Sequence, residues 1–184
     1  SLYIAVLLCL IAAGSAEATW KCLRNFDQGQ WRGEIGTTSF GTNQFPDDIG
    51  DWMVIGSVEY EWAYLDKTTL GLKGYPFLIY YQDDNSRGKS DYIYAAGFAA
   101  NIRYYQNQIR GNGWYAEAAA GPIINSEHFE DNGSDINFLL DGGIGYQFEN
   151  NMTIAVKYYH ISNAHLHNTN VPLDMIGFSV GYLF

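Results

Sequence analysis

From about residue 30 onward the chain is written in twos. Apolar and polar residues alternate through one segment after another, and Gly, Asn and Asp punctuate the breaks. Successive side chains of a β-strand point to opposite faces, so this period predicts strands with one apolar face. The alternation divides the chain into eight segments, near Gln30–Phe40, Asp51–Leu65, Thr68–Tyr81, Asp91–Tyr105, Gly113–Ile124, Ile136–Phe148, Met152–Ser162 and Asp174–Phe184. Each is at least as long as the roughly 9–11 residues that carry a tilted strand across a bilayer. After Ala18 no apolar run reaches the ~18 residues of a transmembrane helix. The expectation is all-β: an eight-stranded antiparallel transmembrane barrel of the bacterial outer membrane.

Parity sharpens this. In the fourth segment Tyr92, Tyr94, Ala96, Phe98, Ala100, Ile102 and Tyr104 share a face opposite Asn101 and Arg103. In the sixth, Ile136, Phe138, Leu140, Ile144, Tyr146 and Phe148 oppose Asn137, Asp141 and Gln147. The second sets Trp52, Val54, Val58, Tyr60, Trp62 and Tyr64 against Ser57, Glu59 and Glu61. The polar face carries both signs of charge, Lys73, Glu117 and Lys157 among them. A soluble barrel turns the same alternation inside out. Its core would then be the apolar face, and the charged face would lie in water. If the charges instead fill a narrow lumen, acids and bases pair across it and water shares it, and the apolar face meets lipid.

The links agree with the membrane reading. TNQFPDDIG, QDDNSRGKS, NSEHFEDNGS and NAHLHNTNVPL are long, whereas Asp66-Lys67, Asn107–Asn112 and Glu149–Asn151 are short. Long external loops alternating with short periplasmic turns are the outer-membrane pattern. The chain ends on Phe184, with Tyr182, Val180 and Phe178 in the same parity, a familiar ending for such barrels.

The opening SLYIAVLLCLIAAGSAEA has an apolar run from Leu2 to Ala13 followed by small residues. It fits the h-region and cleavage site of a signal peptide cut after Ala16 or Ala18, with the start of that peptide truncated. Residues 1–18 are then the signal and 19–184 a single barrel domain. Cys9 falls in the signal and only Cys22 is retained, which leaves no intrachain disulfide. The formal net charge of -10 argues against nucleic acid as a partner.

The chemistry concentrates in HISNAHLHNTNVPLD, from His160 to Asp174. His160 and Ser162 continue the outward parity of Met152, Ile154, Val156 and Tyr158, and Asp174 shares that of Ile176, Phe178 and Val180. A near-symmetric hairpin sets Asp174 beside His160, with Cβ atoms about 5 Å apart. All three groups point toward lipid at the external end. Polar side chains there are costly and usually functional. Ser162 as nucleophile, His160 as base and Asp174 as the acid that fixes the imidazole is one reading. A polar loop is another. A metal site from His160, His165, His167 and Asp174 is a third, weakened by the opposite parity of His165 and His167. His128 reads as a loop residue, and the acidic runs DDIGD, QDD and EDNGSD as solvated turns.

The ending HISNAHLHNTNVPLDMIGFSVGYLF resembles the lipid A 3-O-deacylase (PagL-like) family, small outer-membrane barrels that remove an ester-linked acyl chain from lipopolysaccharide. The match covers roughly the last sixth of the chain. The resemblance implies an esterase that releases a 3-hydroxyacyl chain from lipid A in the outer leaflet, with Ser162 and His160 as nucleophile and base. It also implies Asn163 and Asn170 as shapers of the oxyanion site, and no cofactor or metal. Two positions depart from the family: Asp174 stands where Glu is known, and His165 where a small residue is common. The alternatives are a non-catalytic small outer-membrane barrel with a structural or adhesion role, and, further off, a soluble binding module. The oligomeric state is open, a homodimer being one option.

Overall fold

The computed structural model describes residues 23–41, 50–83, 91–129 and 132–184. The signal segment 1–18, both cysteines and most of the first two long links lie outside the described residues. The strands are β1 (Gln30–Gly41), β2 (Trp52–Leu65), β3 (Thr68–Gln82), β4 (Asp91–Tyr105), β5 (Gly113–Asn125), β6 (Ile136–Gln147), β7 (Met152–Ser162) and β8 (Leu173–Leu183). Each pairs antiparallel with the next, and β1 pairs with β8 to close the barrel in the order β1 to β8. Closure leaves no unpaired edge, the condition under which strands tolerate lipid.

The apolar face is outside. Ile35, Phe98, Ile102, Ile144, Ile154, Val156 and Phe178 are all exposed. Aromatic clusters mark both ends of this belt: Trp52, Tyr81 and Tyr92 at the external end, and Trp114, Tyr146, Phe148, Tyr182 and Phe184 at the periplasmic end. Such girdles sit at the two membrane interfaces. The charged face is inside, which excludes the soluble barrel.

The interior has two tiers. Behind the external half, Met53, Ile55, Leu78, Ile93, Leu139, Tyr159, Ile161 and Met175 form an apolar plug. The periplasmic half is ionic. Arg103 contacts Glu59 at 2.7 Å and Glu117 at 2.5 Å and also bonds Glu61. Lys157 bonds Glu34 and lies 2.6 Å from Glu117, and Lys73 is 2.6 Å from Asp141. Tyr75 and Tyr105 hydroxyls donate to Asp141 and Glu61 at 3.0 Å. Arg103, Glu59, Lys73 and Lys157 are almost completely buried, so direct pairing carries much of the cost of these charges. Gly71 makes the network possible: a Cβ there would lie 2.2 Å from the Glu59 carboxylate.

Two local features depart from simple alternation. At Pro76-Phe77 both side chains are exposed and the register of β3 against β4 shifts between Tyr75 and Leu78. This bulge switches the inward positions from odd to even numbers, and Pro, lacking an N–H, suits it. Trp62 keeps its outward parity but is buried, because Leu23 and Phe26 of the N-terminal turn fold over it. The Tyr60 hydroxyl holds that turn by donating to the Phe26 carbonyl at 2.6 Å.

Candidate active site

Residues Tyr158, His160 and Ser162 stand two apart on the last turns of the β7 pleat and so share the outer wall. The ladder sets Asp174, the second residue of β8, directly across from His160. Leu140 and Phe138 of β6 flank His160 and Ser162 on the other side. Behind the strands at this height the plug residues Tyr159, Ile161 and Met175 fill the interior.

His160 Nδ1 lies 2.7 Å from Asp174 Oδ1, and His160 Nε2 lies 3.1 Å from Ser162 Oγ. An ionised carboxylate only accepts, so Nδ1 carries the imidazole proton. In the neutral ring Nε2 is then the acceptor, and the Ser162 hydroxyl donates to it. His160 and Asp174 side chains are 28% and 25% exposed, open enough for a substrate yet shielded by neighbouring wall residues. The Tyr158 hydroxyl donates to the same Asp174 oxygen. Sequence reading missed this contact, although the register contains it: Tyr158 faces Ile176, which makes Asp174 its diagonal neighbour across the hairpin.

The loop after Ser162 is held by its asparagines. Asn163 is fully buried; its amide donates to the Asn132 carbonyl at 2.5 Å and the Thr169 carbonyl at 2.6 Å. Its Oδ1 accepts from the His165 N–H at 2.9 Å, an Asx turn. Asn170 Oδ1 accepts from the Asn163 backbone N–H at 2.9 Å. Ala164 and His165 adopt φ of 50° and 62°, the left-handed region that disfavours a side chain. The β5–β6 link packs against this loop, with Gly133 so close to His167 and Thr169 that a Cβ would sit within 2.4 Å of the Thr169 hydroxyl. Among the described residues, no hydrogen bond of the loop uses the Ala164 N–H.

The competing constellation does not assemble. His165 and His167 are exposed, and His167 turns to Thr169 at 3.2 Å. His128 forms an exposed pair with Asp135 at 3.1 Å. Asp51, from the first acidic run, accepts from the Asp83 N–H at 2.8 Å and from Tyr80. Among the described residues no group of three or more His, Cys, Asp or Glu is arranged to hold a metal ion.

A closed barrel with an apolar belt, its charges paired inside, and bearing a serine, a histidine and a carboxylate on its lipid-facing wall, defines a class of outer-membrane protein with polar groups turned toward the bilayer. The lipid A 3-O-deacylase (PagL) family model matches residues 54–183, and the chain belongs to that family of outer-membrane ester hydrolases. Among solved structures, the outer membrane enzyme PagL is 18% identical, with 83% of this chain and 98% of that chain covered at a TM-score of 0.60. A de novo designed transmembrane β-barrel is 13% identical, with coverage of 85% and 96% and a TM-score of 0.52. The N-terminal barrel domain of Pseudomonas aeruginosa OprF is 15% identical, with coverage of 85% and 97% and a TM-score of 0.50. At such identities the likeness concerns the fold. No curated protein matches by sequence.

Proposed function

We propose that this protein removes an ester-linked 3-hydroxyacyl chain from lipid A in the outer leaflet by a Ser162–His160–Asp174 mechanism. The observation that carries the reading is the unbroken relay on the lipid-facing wall, Asp174 to His160 at 2.7 Å and His160 to Ser162 at 3.1 Å. Ser162 Oγ attacks the ester carbonyl carbon while its proton passes to His160 Nε2. Asp174 stabilises the imidazolium through Nδ1–H. Asn163 and Asn170 hold the loop that follows Ser162 and so shape the oxyanion site. Collapse breaks the bond to the sugar oxygen, which takes the proton from Nε2 and leaves as the hydroxyl of lipid A. Water, deprotonated by His160, then attacks the acyl-serine carbonyl, and Ser162 Oγ is reprotonated as the hydroxy fatty acid departs.

Substrate and both products are lipids, which suits a nucleophile facing the membrane rather than the lumen. Ser162→Ala tests the reading. The variant should fold, as judged by a mobility shift between boiled and unboiled samples. Mass spectrometry should then show lipid A with its acyl chain retained, turnover falling by about 10⁶-fold by analogy with other serine hydrolases. Release at the parent rate from a folded Ser162→Ala barrel would remove Ser162 from the reaction and favour a purely structural or adhesive barrel.

A further inference from the structure

We propose that Tyr158 is a positioning residue for this reaction, its hydroxyl holding the Asp174 carboxylate in the orientation that fixes the His160 imidazole. The proposal rests on the serine–histidine–aspartate reading and adds a fourth member to it. Tyr158 and His160 both bring a hydrogen to Asp174 Oδ1, one from each side along β7. Asp174 is their common acceptor on β8, opposite His160 and diagonal to Tyr158.

The need for such a group follows from the chemistry of a short acid on a barrel wall. The final torsion of an aspartate, between tetrahedral and planar carbons, is broad and roughly two-fold, so the hydrogen bonds that the carboxylate accepts decide how its plane is set. A lumenal carboxylate is fixed by several partners, as Glu61 is by Arg103, Arg32 and Tyr105. On the wall, part of the surround is hydrocarbon, which can neither donate nor accept. Tyr158 is 44% exposed on this wall, and its hydroxyl donates to the same carboxylate oxygen that the imidazole meets. Tyr158 keeps its proton throughout and makes no bond to substrate.

Tyr158→Phe keeps the ring and removes only the donor. A hydrogen bond to a charged acceptor, once lost, should lower kcat for release of the 3-hydroxy fatty acid from lipopolysaccharide in detergent micelles by about 10-fold. KM should stay within about twofold, because the apolar surface is unchanged. The discriminating measurement is the double variant. In an Asp174→Asn background, whose residual turnover is followed over long incubations, adding Tyr158→Phe should change kcat by less than about twofold, since the group through which it acts is already disabled. Unchanged kcat in Tyr158→Phe, with Asp174→Asn inactive, would overturn the Tyr158 proposal and leave the three-residue reading intact. An equal loss in both backgrounds would show Tyr158 acting independently of Asp174 and also overturn it. Near-normal turnover in Asp174→Asn itself would bring down the underlying reading, and this proposal with it.

Discussion

Two polar clusters divide this barrel, and they are opposites. In the periplasmic half of the lumen, Arg103, Arg32, Arg110, Lys157 and Lys73 meet Glu59, Glu61, Glu117, Glu34 and Asp141, most of them buried. On the outer wall, Tyr158, Asp174, His160 and Ser162 form a single file, partly exposed and ending in a hydroxyl. The lumenal charges are locked into mutual ion pairs, each group neutralised by neighbours that cannot leave, so this cluster braces the barrel. The wall cluster is directional: every group but the last is committed to the next, and the last faces outward. Charge by itself therefore does not mark the site on a barrel. The marker is polar groups on the face where nothing requires them.

The contrast predicts that variants in one cluster change turnover and variants in the other change stability. After Ser162→Ala, the largest effect expected is at Asp174. Asp174→Asn keeps the shape but offers an amide donor, favours the wrong imidazole tautomer and should lower turnover by up to ~10⁴-fold, as the equivalent change does in a serine protease. Its unfolding midpoint should match the parent's. Asp174→Glu, with a longer arm for the same imidazole, should keep a substantial part of the activity in the same fatty-acid release assay.

Arg103→Met should do the reverse. It strands Glu59, Glu61 and Glu117 without their common partner, and a broken buried pair costs about 3–5 kcal/mol. Denaturant unfolding in micelles, followed by tryptophan fluorescence, measures this. Turnover per folded molecule should be unchanged. A loss of turnover in fully folded Arg103→Met would erase the distinction between the clusters. The smallest effect belongs to His165, a side chain at φ 62°. His165→Gly relieves the left-handed strain but gains unfolded-state entropy, so stability should rise by only about 0.5 kcal/mol. Turnover should hold, and a large fall would give the imidazole a role that its exposed setting does not suggest.

Much of this architecture is written locally and so was legible in the sequence. Strand limits fall within a residue or two of the alternation because Gly, Asn and Asp end each pleat where the pattern breaks. The pairing of His160 with Asp174 followed from a symmetric hairpin alone, and the structure has that register. What escaped depends on long-range geometry. Lys157 meets Glu34 and Glu117 only because the barrel's tilt brings β7, β1 and β5 together at one height. The parity switch at Pro76-Phe77 is set by the fit of β3 between two neighbours. Trp62 reads as a lipid-facing aromatic, and only the returning N-terminal turn buries it. The family resemblance singled out Asn163 for the oxyanion site, but nothing in the local pattern points to its partner Asn132, which lies on a different link.

A serine that opens sideways changes the dimensionality of the encounter. An enzyme with a lumenal pocket meets its ligand by diffusion through a volume, whereas in the proposed reaction Ser162, on the outer wall, meets esters that glide within a sheet one lipid thick. In the proposed reaction the governing variable is then the mole fraction of substrate among surrounding lipids. Diluting that leaflet with inert detergent should slow the enzyme even at fixed total substrate. Both products emerge into the same plane, so clearance by lateral exchange competes with the next arrival at the wall.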